Sequence, residues 1–510
     1  MRKIFFLLVL MLSMISYAAE LDYYQTIVTK QQAGDDGQSH VFGLDYYADG
    51  SLLLLANYQT DTASGEGVME FAGHTYGVAM GNRKGNGGSR YKLKNYRNAF
   101  FAKLDPQGDL LWAVVDSTFD YDVSASAIMA TENGGAIFAE KGRDAEGRYW
   151  TYINVYSANG GFFDGGYVMA DYEQKSYMTV EPKDSYAWTG LVQDAAGNTY
   201  LAGYQAGDLI PRANKDTVPA RTKEWTGEGN EKSKYANTVI LKYDGNMFFA
   251  GATSYIEGLT YDRPTGIHYE DGKIYVAGVY GKADENGIYA ARYNTDLVLE
   301  DIQYHPVIGS IKAEQTKFVD GKIYICGGLG KNGSITVGDK TITTESTINN
   351  SGLVFVINQA DGKAIDVAVK NDVFGLTVAA YPEKDGVVAY YYGPMGKNIA
   401  LHYDANMNLV QQDTLATGGG QSLVTCVAQK ADKSQTAVGF RARSNQEFDM
   451  LGIKLQPEKT NWYGIVATLK GEKEEAVENV QTENGKAVKF LQNGQLMIRY
   501  NGKVYTILGY

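Results

Sequence analysis

The chain has 510 residues, among them 59 Gly, 39 Tyr and only 9 Pro, and 21% of its side chains are charged. Rich in glycine and aromatics, poor in proline and without a three-residue period, it is not collagenous, coiled-coil or disordered, and it reads as turn-rich β-structure with a sizeable core. A formal net charge of −12 argues against a general nucleic-acid binder.

In chain order, Met1, Arg2 and Lys3 make a positive n-region, and Ile4 to Ile15 is an apolar run too short for a bilayer core of about 30 Å. Small residues at Ser16 and Ala18 make residues 1–18 a signal peptide cut after Ala18, with no Cys beside the cut to carry a lipid. The leader holds two basic residues and no acid, so the chain after it is more acidic still. No later stretch reaches eighteen consecutive apolar residues. The sequence therefore predicts export to the periplasm, cell surface or exterior, without a transmembrane helix.

Tyr23 to Lys30 alternates like a strand but belongs to no repeat. From there one unit recurs seven times: a turn followed by a short aromatic and β-branched strand, beginning at Asp49, Asn133, Ala196, Asp271, Asp320, Asp385 and Asp432. A second unit, clearest as Phe100 to Trp112 with its Asp105-Pro106-Gln107-Gly108 turn, alternates with the first and has relatives near Tyr152, Val239, Tyr289, Val354, Ile399 and Gly464. Hairpin alternating with hairpin predicts four-stranded antiparallel blades. Residues 19–470 are thus expected to form an all-β, seven-bladed β-propeller. At about 65 residues per unit it exceeds the ~40–50 of common propeller repeats, so the blades must carry insertions. The last unit lacks a fourth strand, which Tyr23 to Lys30 supplies, closing the ring and removing an open edge.

The second-to-third strand connections run from Gln59 to Asn98, Gly142 to Tyr149, Gln205 to Tyr235, Gly281 to Gly287, Gly330 to Ser351, Gly393 to Lys397 and Arg441 to Asn461. The long ones belong to odd-numbered units and leave on one face, the expected binding face. From Phe71 to Leu104 there is no acid, yet Arg83, Lys84, Arg90, Lys92, Lys94 and Arg97 occur there, interleaved with Tyr91 and Tyr96. Cations beside aromatic faces suit an anionic polymer, and an exported protein meets acidic polysaccharide before nucleic acid. Alternatively Arg90 to Arg97 is a strand whose basic side chains pair with acids on neighbouring loops. Trp225, on the third unit's long loop with Arg212 and Arg221, is a further candidate contact.

Catalytic and metal signatures are weak. The five His residues (His40, His74, His268, His305, His402) have no paired spacing. Gly328-x-Gly330-x-x-Gly333 precedes a strand-like run, Ser334 to Thr344, where a dinucleotide site needs a helix. Asp404-x-Asn406-x-Asn408 lacks the glycine and the bidentate Glu of a calcium loop and occupies a hairpin turn. No catalytic residue, metal or cofactor is assigned. Cys326 and Cys426, both in apolar runs, read as buried free thiols. Residues 471–485 form an acidic linker, and 486–510 a small β-meander joined at Asn493-Gly494 and Asn501-Gly502.

Two stretches carry a resemblance, Asp194-Ala195-Ala196-Gly197-Asn198-Thr199-Tyr200-Leu201-Ala202-Gly203 and Phe100 to Trp112. At these residues the chain resembles the secreted seven-bladed β-propeller repeat (SBBP-type) proteins of Bacteroidetes-like bacteria, over roughly residues 20–470. Units six and seven depart from that pattern, with Lys384-Asp385-Gly386 and Asp432-Lys433-Ser434 in place of the Gly-Asn turn. The family is defined by architecture, so it implies no catalytic residues. The ending resembles short C-terminal β-segments that serve as secretion or surface-sorting tails. The expectation is a secreted or cell-surface, non-enzymatic binding or scaffold protein, monomeric, engaging an anionic glycan or an extracellular protein through the long-loop face. The alternatives are a carbohydrate-active enzyme, with two carboxylates ~5 to ~9.5 Å apart, and a structural envelope component.

Overall fold

The computed structural model describes residues 19–506 apart from 32–36, 60–65, 80–96, 116–121, 144–148, 171–185, 206–208, 212–217, 220–235, 283–284, 347–349, 374–379, 384–385, 394–395, 421, 459, 472–487, 493–494 and 501–502. Residues 1–18, read as a leader, and nearly all of 471–485, read as an acidic linker, lie outside the described residues.

Strand β1 (Glu20–Gln31) comes first. The first repeat holds β2 (Gln38–Tyr46), β3 (Leu52–Gln59), a hairpin of β4 (Glu66–Phe71) and β5 (His74–Ala79), then β6 (Arg97–Leu104) and β7 (Leu110–Val115). The second holds β8 (Asp122–Ala130), β9 (Ala136–Arg143), β10 (Tyr149–Tyr156) and β11 (Phe162–Ala170). The third holds β12 (Tyr186–Gln193), β13 (Thr199–Gln205), β14 (Leu209–Pro211), β15 (Asn237–Tyr243) and β16 (Phe249–Ser254). The fourth comprises β17 (Tyr261–Glu270), β18 (Lys273–Lys282), β19 (Glu285–Asn294) and β20 (Leu299–Ile308). The fifth comprises β21 (Ile311–Val319), β22 (Lys322–Gly330), the hairpin β23 (Ser334–Val337) and β24 (Lys340–Thr343), β25 (Asn350–Asn358) and β26 (Ala364–Asn371). The sixth has β27 (Ala380–Glu383), β28 (Gly386–Tyr392), β29 (Asn398–Tyr403) and β30 (Leu409–Gly418). The seventh has β31 (Leu423–Gln429), β32 (Gln435–Arg443), the hairpin β33 (Phe448–Met450) and β34 (Ile453–Leu455), and β35 (Trp462–Lys470). The tail forms β36 (Val488–Gln492), β37 (Gln495–Tyr500) and β38 (Lys503–Thr506), a separate three-stranded meander.

The fold is an all-β propeller arrangement, with no α-helix among the described residues. Second and third strands such as β13 and β15 are buried on both faces, and they read in sequence as unbroken apolar runs. Fourth strands such as β7 and β16 are half-exposed. Turn chemistry follows the repeats. Asp271 and Gly272, and again Asp320 and Gly321, both have positive φ, as a two-residue type I′ hairpin requires. On the third-to-fourth turns the side chains of Asp105, Asp244, Asn294 and Asp404 accept the backbone N–H groups two and four residues on. This accounts for Asp404-x-Asn406-x-Asn408 as a turn. The Gly328–Gly333 motif likewise leads into β23, a strand.

The expected seven separate blades are corrected to five separate blade sheets and one ten-stranded sheet. The reason lies in β1, which pairs on two sides. Its first part runs antiparallel to β35, from Glu20 opposite Lys470 to Ile27 opposite Gly464. Its last four residues, Val28–Gln31, pair with β4. A parallel contact of Gln38 with Trp462 then joins β35 to β2, so the strands of the first and last repeats fuse into one sheet. The N-terminal strand does complete the last repeat, as its orphan position in the sequence implied.

The first strands of successive sheets abut in the order β2, β8, β12, β17, β21, β27, and β31 returns to β2. The core lies between neighbouring sheets. Phe101 of β6 packs on Phe138 of β9 with ring centroids 3.9 Å apart. Polar latches cross the same seams: buried Asp262 on β17 accepts Asn237 Nδ2 at 2.6 Å and the Thr238 N–H at 2.9 Å, both from the preceding sheet. Asn398 on β29 bridges to Ser422 and the Val424 N–H of the next unit.

The long insertions of the odd repeats do not stand free. Each crosses to the preceding repeat and pairs with the C-terminal end of its outermost strand: β4 on β1, β14 on β11, β23 on β20 and β33 on β30. Each carries fully buried apolar anchors, Met69 and Phe71, Leu209, Ile335, and Phe448 with Met450. The insertions are therefore straps between neighbouring repeats.

Candidate functional site

The first strands enclose a cavity of about 520 Å³, lined by residues of β2, β8, β12, β17, β21 and β31. One backbone device shapes it. Each of these six strands departs from register against its second strand, leaving one residue unpaired: Phe42, Ser126, Thr189, Thr265, Glu314 and Thr425. Such bulges re-aim a side chain, and Phe42, Thr189, Thr265, Glu314 and Thr425 line the cavity.

The bulges explain part of the repeat. Gly203, Gly278 and Gly327, which end the Leu-Ala-Gly, Val-Ala-Gly and Ile-Cys-Gly copies, pair with the residue just before the bulge. A Cβ at each would collide with the main-chain oxygen of Ala187, Arg263 and Lys312 respectively. In these three repeats the terminal glycine admits the bulge, whereas Ala56, Glu140 and Phe440 stand opposite the residue before it in the first, second and seventh.

Inside the cavity, burial lifts the Asp45 carboxyl above the usual carboxylate range, opposed by the N–H groups of Ala130 and Tyr46 and by the Lys317 ammonium. Burial also draws Lys317 below its ordinary value, and Asp45 partly offsets this. Glu314 is raised by burial despite its ion pair with Lys312. His268 stacks on Phe318, 5.3 Å between centroids and 14° apart, and burial lowers its imidazole. Thr265 and Thr316 share a hydroxyl hydrogen bond of 2.7 Å. Both cysteines are free and buried, and burial pushes each thiol up to about 12. Cys426 lines the cavity as a protonated, small apolar group. Among the described residues no group of three or more His, Cys, Asp or Glu side chains gathers as a metal site. Nor is any helix there long and apolar enough to cross a membrane.

Of the residues expected to bind, Arg83, Lys84, Arg90, Tyr91, Lys92, Lys94, Tyr96 and Trp225 lie outside the described residues. Arg97 begins β6, its backbone opposite Gln59.

No family model matches the chain, and no curated protein matches it. Among solved structures it is similar to the Dos1 propeller, at 9% identity over 86% of this chain and 95% of that one, with a TM-score of 0.40. A protein of unknown function from Dyadobacter fermentans is 10% identical over 87% and 98% of the two chains, TM-score 0.39. A subtype N10 neuraminidase-like protein of A/little yellow-shouldered bat is 8% identical over 89% and 100%, TM-score 0.38.

Proposed function

We propose that the protein is a non-enzymatic binding propeller of the secreted propeller-repeat kind, exported and working in the periplasm, at the cell surface or outside it. Its partner is an anionic glycan or an extracellular protein, held on the face where the odd-repeat insertions emerge. The observation that carries this reading is the strapping. Four insertions are knitted into the ends of neighbouring outer strands, on the face from which the inner strands enter the cavity. Long loops on a rigid scaffold are where recognition usually resides, and bracing them lowers the ordering cost of binding. The C-terminal meander is read as a sorting segment.

The test is binding of the purified protein to neutral and acidic glycans at two salt concentrations, beside a variant carrying Arg90→Ala, Lys92→Ala, Lys94→Ala and Arg97→Ala. Salt-sensitive binding lost in the variant supports the anionic-glycan reading; no binding to any glycan moves the partner to a protein. N-terminal sequencing of the exported chain checks the leader, with Ala19 expected as the first residue.

A second reading, a carbohydrate-active enzyme, is favoured by one observation. Asp45 and Glu314 both line the cavity with carboxyl groups raised by burial. Glycan cleavage abolished by Glu314→Gln would establish it.

A further inference from the structure

At the seam between the last and first repeats, near the C-terminal end of β32, two guanidinium groups share one indole. Arg443 pairs across the ladder with Trp462, and Arg441 with Gly464. The Arg443 and Arg441 guanidinium carbons lie 4.4 and 4.9 Å from the Trp462 ring centroid. Gly464, lacking a side chain, lets Val41 of β2 close against β35, and this brings the His40 ring edge-on to the same indole at 5.9 Å. Trp462 itself is buried.

Stacking on an aromatic face satisfies the flat surface of a guanidinium but none of its five N–H donors. Among the described residues neither Arg441 nor Arg443 makes an ion pair, and the buried Nε of each has no hydrogen-bond partner. Two like charges held by one ring repel, and an oxyanion accepting from both forks relieves that repulsion and satisfies the donors together. A third guanidinium repeats the arrangement at the same face. Arg263, near the start of β17, lies 5.2 Å from the Tyr204 ring, also with a buried, unpartnered Nε.

We propose that Arg441 and Arg443, set on Trp462, form an anion-binding site that takes the carboxylate or sulfate group of an acidic glycan. This rests on the reading of the protein as a glycan binder but places recognition at the ring seam, apart from the basic stretch of the first insertion. Asp35 and Asp36 precede Gly37 in the sequence, and the Gly37 carbonyl accepts the Asn461 and Trp462 N–H groups, so substituting the two acids tests for a carboxylate from the chain itself.

The experiment follows the indole N–H resonance of Trp462, assigned by its loss in Trp462→Phe, during titration of the full protein with inorganic sulfate, oligogalacturonate and a neutral maltooligosaccharide. Saturable shifts with the two anions and none with the neutral sugar are expected. Arg443→Gln or Arg441→Gln should weaken binding about tenfold, the worth of one charge-assisted hydrogen bond. Arg443→Lys, which keeps the charge and loses the planar fork, should be weakened too, and unchanged unfolding midpoints show that the variants are folded. An unmoved Trp462 resonance while glycan binding persists elsewhere overturns the site and leaves the functional reading intact. Shifts that arise only in Asp35→Asn, Asp36→Asn overturn it as well, because the cations are then neutralised within the chain. Sulfate binding without oligogalacturonate binding keeps the anion site and overturns a uronic-acid glycan as its ligand.

Discussion

Gly278→Ala isolates the role of the inner-strand bulge. Gly278 lies in β18 opposite Pro264, one residue before the unpaired Thr265, and a Cβ there would collide with the carbonyl oxygen and carbon of Arg263 and with the Cα of Pro264. All three obstacles are backbone, so no side-chain rotation relieves them, and the strands must separate. Forcing atoms into a filled site costs about 1–3 kcal/mol, and here the pair that separates carries the cavity wall. Gly251→Ala is the control. Gly251 lies within β16 without positive φ, and nothing stands within 4 Å of its hypothetical Cβ. With less backbone entropy to lose on folding, that variant should be neutral or stabilised by up to ~1 kcal/mol. The assay is the urea unfolding midpoint of the two variants and the parent, followed by tryptophan fluorescence. Equal midpoints for Gly278→Ala and Gly251→Ala would refute the argument that Gly278 is needed to admit the bulge of β17.

Ile27 is fully buried in β1, so Ile27→Ala should cost about 2–5 kcal/mol, and removal of residues 19–31 should leave an open ring that aggregates; an unchanged midpoint for either refutes closure by this strand. Burial raises the Asp45 carboxyl, so the folded state binds its proton more tightly than the unfolded chain and stability is lost as pH rises through the raised range. Asp45→Asn removes that dependence, so the variant should gain on the parent as pH rises above the ordinary carboxylate range; parallel curves would show that Asp45 is not perturbed. Cys326 and Cys426, buried with thiols pushed up to about 12, should resist a thiol reagent in the native protein and react on unfolding, and rapid native labelling of either would place it on an open surface.

Much of the architecture was legible from local chemistry. Asp-Gly and Asn-Gly dipeptides between apolar runs marked the turns because φ > 0 is accessible there to few residues. The orphan strand before the first repeat announced closure, since the last repeat had a vacancy. The separateness of the blades was not legible. It fails through β1 pairing with both β35 and β4 and through the parallel pairing of Gln38 with Trp462, long-range events that leave no periodic trace. The destination of the insertions was hidden for the same reason. Their length and odd-numbered placement could be read, but pairing with the preceding repeat depends on anchors such as Leu209 and Ile335 that look like any loop hydrophobe until the neighbouring strand is present. The Arg441–Trp462–Arg443 arrangement joins residues some twenty apart in sequence whose meeting depends on register, whereas the basic stretch from Arg83 to Arg97 is visible as composition.

The straps change what the long loops mean. An insertion that merely drifted would be free to add length anywhere on the surface, whereas all four land on the same part of a strand, the last residues before the chain enters the next repeat. There an outer strand would otherwise present unpaired N–H and C=O groups beside a seam. Covering that edge and burying an apolar anchor joins the first repeat to the last, the third to the second, the fifth to the fourth and the seventh to the sixth. The seventh repeat is thus held on both sides, by its own strap to the sixth and by the first repeat's strap onto β1. The seam between the seventh and first repeats also holds β1, the Gln38–Trp462 contact and the two stacked guanidinium groups. A propeller is most prone to open at its closure, so a ligand bound across that seam would add its binding energy to the folded state alone. Recognition and ring closure would then be coupled through the same few residues.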